Sequence, residues 1–195
     1  LGDLLKSIKN YEQALAINPN WLEVQNNLGM AHLENKNFAD SIFYLNKYIT
    51  LKPNAVEGYN NLGLALKEKG DTSEALKIYR RALQVDPDCA EVNNNIGIIL
   101  KEYSDFDNAK YFYKRAIRSN PEYGEAYYNL GSILNEEKQY EEAIPLLKKA
   151  ISLNPQYAEA YNNLGTSFSG IKSFDKAIEN FQHAVKLKPK CAETH

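Results

Sequence analysis

The chain has 195 residues, with 23 basic against 25 acidic side chains and a formal net charge of −2. Such a balance gives no support for a nucleic-acid footprint, which draws on a basic face. No apolar run approaches the roughly 18 residues of a membrane span, so neither nucleic acid nor membrane is an expected partner.

One tripeptide returns every 34 residues, at Asn27-Leu28-Gly29, Asn61-Leu62-Gly63, Asn95-Ile96-Gly97, Asn129-Leu130-Gly131 and Asn163-Leu164-Gly165. A proline keeps the same interval at Pro19, Pro53, Pro87, Pro121, Pro155 and Pro189. An unbroken period of this length marks an array of helix pairs whose core is a continuous seam. Counting the glycine as slot 8, five full repeats span 22–55, 56–89, 90–123, 124–157 and 158–191. Residues 1–21 supply a preceding half-repeat, and 192–195 open the next helix, so the chain reads as a piece excised from a longer array.

In chain order, residues 1–17 read as a second helix without its partner, with Gly2-Asp3 matching the inter-helix turn at Gly70-Asp71. Repeat 1 departs from its neighbours: Ser41 and Tyr48 stand in two slots that are otherwise alanine, and His32 stands where others have Leu or Phe. Wider helix spacing is expected there. In repeat 2, Tyr59, Leu62, Gly63 and Leu66 lie on one helical face. Gly70 is expected to stop that helix in the left-handed conformation, and Asp71 to cap the next. Ala75, Leu76, Tyr79, Ala82 and Leu83 form the second apolar face, which Pro87 ends. Pro145, beyond the first turn of its helix, should kink it or delay its start. Gly170 should end the first helix of repeat 5 early, and helix 175–188 should leave an uncovered apolar side that favours end-to-end self-association.

These slots resemble the tetratricopeptide repeat, over the entire chain. Slot 4 is aromatic at Tyr59, Tyr127 and Tyr161, and slot 20 is Ala75, Ala109, Ala143 and Ala177. Slot 27 is Ala82, Ala116, Ala150 and Ala184, and slot 24 holds Tyr79, Tyr113, Phe181 or Leu. The resemblance implies an all-α fold: a single right-handed superhelical solenoid of antiparallel helix pairs over residues 1–195. It also implies a concave groove lined by the first helices at slots 2, 5, 6, 9, 12 and 13.

No catalytic constellation, phosphate loop or metal spacing is present, so this segment is expected to be non-catalytic and to need no cofactor. His32, His183 and His195 share no ligand spacing, and a packed core role for His32 outweighs a metal role. Cys89 and Cys191 stand three repeats apart, about 25 Å in a regular stack, too far for a disulfide. Two free thiols suit a reducing, intracellular compartment, cytoplasmic or nuclear.

The candidate site is the asparagine ladder. Slot 6 is Asn27, Asn61, Asn95, Asn129 and Asn163; slot 5 adds Asn26, Asn60, Asn94 and Asn162, with Tyr128 in the fourth copy. A side-chain amide pairs with both the C=O and the N–H of a peptide backbone. Rungs about 10 Å apart would meet roughly every third residue of an extended peptide. The expected partner is therefore an unstructured peptide or protein segment. At slot 13, Glu34, Glu68, Glu102 and Glu136 lie near helix ends, against the macrodipole, and suggest an acidic groove. At slot 2, Glu23, Glu57, Glu91, Glu125, Glu159 and Glu193 suit the helix N-terminus, and a structural role is favoured. The basic row at Lys47, Arg80, Arg81, Lys114, Arg115, Lys148 and Lys149 reads as a solvated outer stripe.

Relatives that clamp the acidic C-terminal tail of chaperones carry Lys at slots 2 and 5 and Arg at slot 6. Glu and Asn stand there in this chain, so no such binding is expected. The ladder is similar to those in the repeat arms of O-linked N-acetylglucosamine transferases and SPINDLY-type fucosyltransferases. A substrate-recruiting arm of a larger protein O-glycosyltransferase is therefore the alternative to an interaction scaffold.

Overall fold

A computed structural model describes residues 2–188. Among them are eleven α-helices and no strand. α1 is Gly2–Ile17. The first helices of the repeats are α2 (Leu22–Glu34), α4 (Val56–Lys69), α6 (Ala90–Glu102), α8 (Gly124–Glu136) and α10 (Ala158–Gly170). The second helices are α3 (Phe38–Leu51), α5 (Thr72–Val85), α7 (Phe106–Ser119), α9 (Tyr140–Leu153) and α11 (Phe174–Leu187). Every first helix therefore begins at slot 1 and every second helix at slot 17. Pro189 and residues 190–195, with Cys191, Glu193 and His195, lie outside the described residues.

Contacts gather into two compact units, residues 1–95 and 96–195, with the boundary inside α6. In the first, α1 packs on α2, α2 on α3, α3 on α4 and α4 on α5. In the second, α7 packs on α8, α8 on α9, α9 on α10 and α10 on α11. The recurring glycine makes room for the slot-24 side chain. A Cβ at Gly63 would lie 2.3 Å from the Tyr79 ring, and one at Gly29 would lie 2.6 Å from Leu45. In the second unit Gly97 faces Tyr113, Gly131 faces Leu147 and Gly165 faces Phe181 in the same way. Tyr79 and Tyr113 are fully buried beside these glycines.

Several expectations are corrected. Opposite Tyr48 the following repeat has Gly58. A Cβ there would meet the Tyr48 ring at 2.6 Å and Ile49 at 2.8 Å. Tyr48 is buried and donates its hydroxyl to Glu57 at 2.5 Å. Pro145 lies within α9, whose bounds match those of the other second helices, so its start is not delayed. Gly170 is the last residue of a full-length α10; a Cβ built there would collide with the Tyr140 ring. Gly2 and Asp3 belong to α1 and do not form a turn.

Gly70 does end α4 with φ 99°, but Asp71 makes no capping bond and instead pairs with Lys69 at 2.8 Å. The left-handed position is a property of slot 15 in every repeat. Lys36, Ser104, Lys138 and Lys172 hold it with φ between 57° and 62°. Before the prolines, Asn18, Asp86, Asn120 and Asn154 each accept a bond from the backbone N–H two residues on, closing an Asx turn.

Candidate functional site

Position along the helix decides what each groove residue does. Slots 5 and 6 lie in the second turn of each first helix; where the tethers form, slot 5 meets slot 6 of the next repeat. The side chains there bond one another across repeats. Asn61 Nδ2 donates to Asn26 Oδ1 at 3.0 Å, and Asn95 Nδ2 donates to Asn60 Oδ1 at 2.9 Å. In the second unit the pattern survives a substitution: the Asn163 side chain bonds the hydroxyl of Tyr128, which takes the slot-5 place. Burial pushes that phenol above its ordinary pKa. The Tyr128 ring also rests on Tyr157, with centroids 4.7 Å apart.

In unit 1, each tether uses one amide hydrogen of the slot-6 residue and one lone pair of the slot-5 oxygen. It leaves the slot-6 carbonyl oxygen and the slot-5 NH₂ group outside the tether. Asn26, Asn60, Asn61 and Asn95 are half-buried, and so are Asn129 and Asn163; Asn27 and Asn162 are exposed. Asn94 is fully buried and is closed to a ligand in this conformation.

The slot-13 carboxylates are partly neutralised. At slot 12, Lys101 pairs with Glu136 at 2.7 Å and donates to Ser132 at 2.9 Å. Glu102 is engaged as well. Glu34 and Glu68 are exposed and keep the acidic character within unit 1. The slot-2 carboxylates are held by nearby donors. Glu57 takes bonds from Tyr48 and from Lys52 at 3.3 Å, which hold its pKa below the ordinary range. Glu159 pairs with Lys188, which lowers its pKa in the same sense. Glu125 accepts from the Tyr123 hydroxyl at 3.2 Å. Glu91 lies 3.4 Å from the Cys89 thiol, whose pKa burial pushes up to about 11.

His32 is buried and stacked on Tyr44, with neither ring nitrogen bonded, and belongs to the core. No group of three His, Cys, Asp or Glu side chains among the described residues could hold a metal.

Sequence reasoning missed three polar anchors. Gln25 Nε2 donates to Pro19 O at 2.6 Å, and Asn93 Nδ2 donates to Pro87 O at 3.2 Å and Cys89 O at 2.7 Å. Asn135 donates to Asn163 O at 2.8 Å and accepts from Ser167 at 2.6 Å. A polar residue in a slot that is otherwise aromatic was the available signal for the first two.

Family models described as tetratricopeptide repeat match residues 22–55, 56–89 and 122–190. A fourth, described as Est1 DNA/RNA binding domain, matches residues 75–147. No curated protein matches the chain in sequence. Among solved structures, a crystal structure of MamA protein is 25% identical and covers 89% of this chain and 95% of its own, with a TM-score of 0.69. YrrB, described as a TPR protein with an unusual peptide-binding site, is 20% identical over 92% of this chain and 93% of its own, at 0.65. The APC/C hetero-tetramer Cut9-Hcn1 reaches 0.85 at 15% identity, over 97% of this chain and 38% of its own.

Proposed function

The chain belongs to the tetratricopeptide-repeat family, and we propose that it is a non-catalytic interaction scaffold that binds an extended peptide or protein segment along the rungs at slots 5 and 6. The observation that carries this reading is the tether. Asn61–Asn26 and Asn95–Asn60 are bonds between repeats, so the amides are held in fixed orientation before any ligand arrives. A preorganised amide loses less side-chain entropy on binding. What it still offers, one acceptor and one NH₂ group per rung, matches the donor and acceptor of a peptide backbone. Backbone reading makes such a groove tolerant of sequence, with neighbouring side chains adding modest selectivity.

The match to the Est1 description raises a nucleic-acid reading. Against it, acidic side chains outnumber basic ones within residues 75–147, and phosphate binding draws on the opposite balance.

The test is binding of a mixed library of disordered peptides to the wild type and to Asn61→Ala/Asn95→Ala, with helicity held equal. A loss of about tenfold across the library, independent of peptide sequence, is expected. Unchanged affinity would assign the asparagines to inter-repeat stacking alone.

A further inference from the structure

A groove of about 460 Å³ opens where α7, α8 and α9 meet. Buried Leu130 and Leu134 floor it, partly buried Ile117 and Leu146 wall it, and exposed Pro145 stands at its edge. The proline also withholds the N–H that the Glu141 carbonyl would otherwise accept.

The rim is charged on both sides, but unequally. Lys110 is drawn back by Glu137 at 2.8 and 2.9 Å and by Asp107 at 3.1 Å. Lys114, by contrast, is exposed and has no carboxylate within 4.0 Å among the described residues. One repeat on, Lys148 takes the slot of Lys114; it and Lys176 of the repeat after that are poised 5.6 and 5.5 Å over the Phe168 ring, likewise without a carboxylate partner among the described residues. Glu142 is the one carboxylate on the groove's lining.

We propose that this groove and the lysines beside it dock an acidic amphipathic helix of a partner protein. The apolar floor calls for leucine-like anchors, and the unpaired ammonium groups call for carboxylates around them. The spacing selects the conformation. Successive repeats lie about 10 Å apart, which is roughly seven residues of an α-helix at 1.5 Å each, two turns returning to the same face. An extended strand covers that distance in about three residues and arrives on its opposite face. A helix therefore keeps one anchor in the groove and one carboxylate near Lys148 and Lys176. This surface is separate from the asparagine rungs and does not depend on them.

The experiment uses the whole chain and a synthetic helix-forming peptide, with leucines at i, i+3, i+4 and i+7 and glutamates elsewhere, together with its lysine twin and a single-stranded RNA. Affinity is read by fluorescence anisotropy, and the site by NMR shifts of the Leu134 and Leu146 methyls. The acidic peptide is expected to bind and to shift those methyls. Lys114→Glu/Lys148→Glu should weaken it at least about tenfold, Glu142→Lys should tighten it, and Asn61→Ala/Asn95→Ala should leave it unchanged. Equal binding of the lysine twin, indifference to the charge reversals, or preferential capture of the RNA by the same lysines would overturn the proposal. These side chains are exposed, so the reversals leave the fold intact; unchanged helicity of each variant checks that.

Discussion

Gly58 and Tyr48 form a matched pair that can be taken apart. In repeat 1 a tyrosine occupies a slot that is alanine elsewhere, and the next repeat gives up a side chain to receive it. Gly58→Ala places a methyl 2.6 Å from the Tyr48 ring and 2.8 Å from Ile49. Tyr48 is 4% exposed and its hydroxyl is held by Glu57, so the ring has no room to swing away. Overpacking of this kind costs about 1–3 kcal/mol, offset by the ~0.8–1 kcal/mol that alanine gains over glycine inside a helix. The variant should therefore lose up to about 2 kcal/mol. Once Tyr48→Ala removes the ring, the clash with it disappears while the helical gain persists. The same Gly58→Ala change should then be at least about 1 kcal/mol more favourable, although Tyr48→Ala alone costs roughly 3–5 kcal/mol. Urea denaturation of wild type, both single variants and the double gives the coupling energy directly. Additivity within ~0.3 kcal/mol would refute the pairing of Gly58 with Tyr48.

The left-handed slot-15 residues make a second prediction. Ser104→Gly or Lys138→Gly should stabilise by about 0.5–1 kcal/mol, because a side chain at positive φ is strained where glycine is not; a fall in the urea midpoint would contradict it. The hydroxyls of Tyr79 and Tyr113 are buried without partners. Tyr79→Phe and Tyr113→Phe should therefore be neutral or gain about 1 kcal/mol, and a lower Tm in both would show a bond to water that the packing conceals. Cys89, with its pKa near 11, should hold about a hundredfold less thiolate at pH 8 than an ordinary cysteine. Alkylation mapped by mass spectrometry should be correspondingly slow at that residue in the folded chain and rapid after unfolding.

The repeat frame was legible because stacking is a strict geometric demand: one glycine, two small residues and one large residue must recur in phase for helices to approach. That is why all the helix starts from α2 onward recur at the same two slots, 1 and 17. Local departures were harder to read because each has its answer one repeat away. Tyr48 is explained by Gly58 and Gly170 by Tyr140, contacts that periodicity within a single repeat does not contain. The slot-15 conformation was visible at Gly70 alone, since lysine and serine give no sign of positive φ. The ladder was legible as a row of amides. Its cross-repeat bonding was not, because whether an asparagine turns toward its neighbour or toward a ligand depends on side-chain geometry that composition does not fix.

Backbone recognition by the asparagine rungs is tested most directly by N-methyl scanning of a peptide bound to this chain. Methylation removes one backbone N–H at a time and leaves every side chain in place. Rungs about 10 Å apart against ~3.3 Å per residue predict that methylation weakens binding at roughly every third position, whatever side chain stands there, and that the pattern vanishes in Asn61→Ala/Asn95→Ala. Affinity that ignores methylation and follows side-chain replacements alone would contradict the account and assign the groove to side-chain recognition.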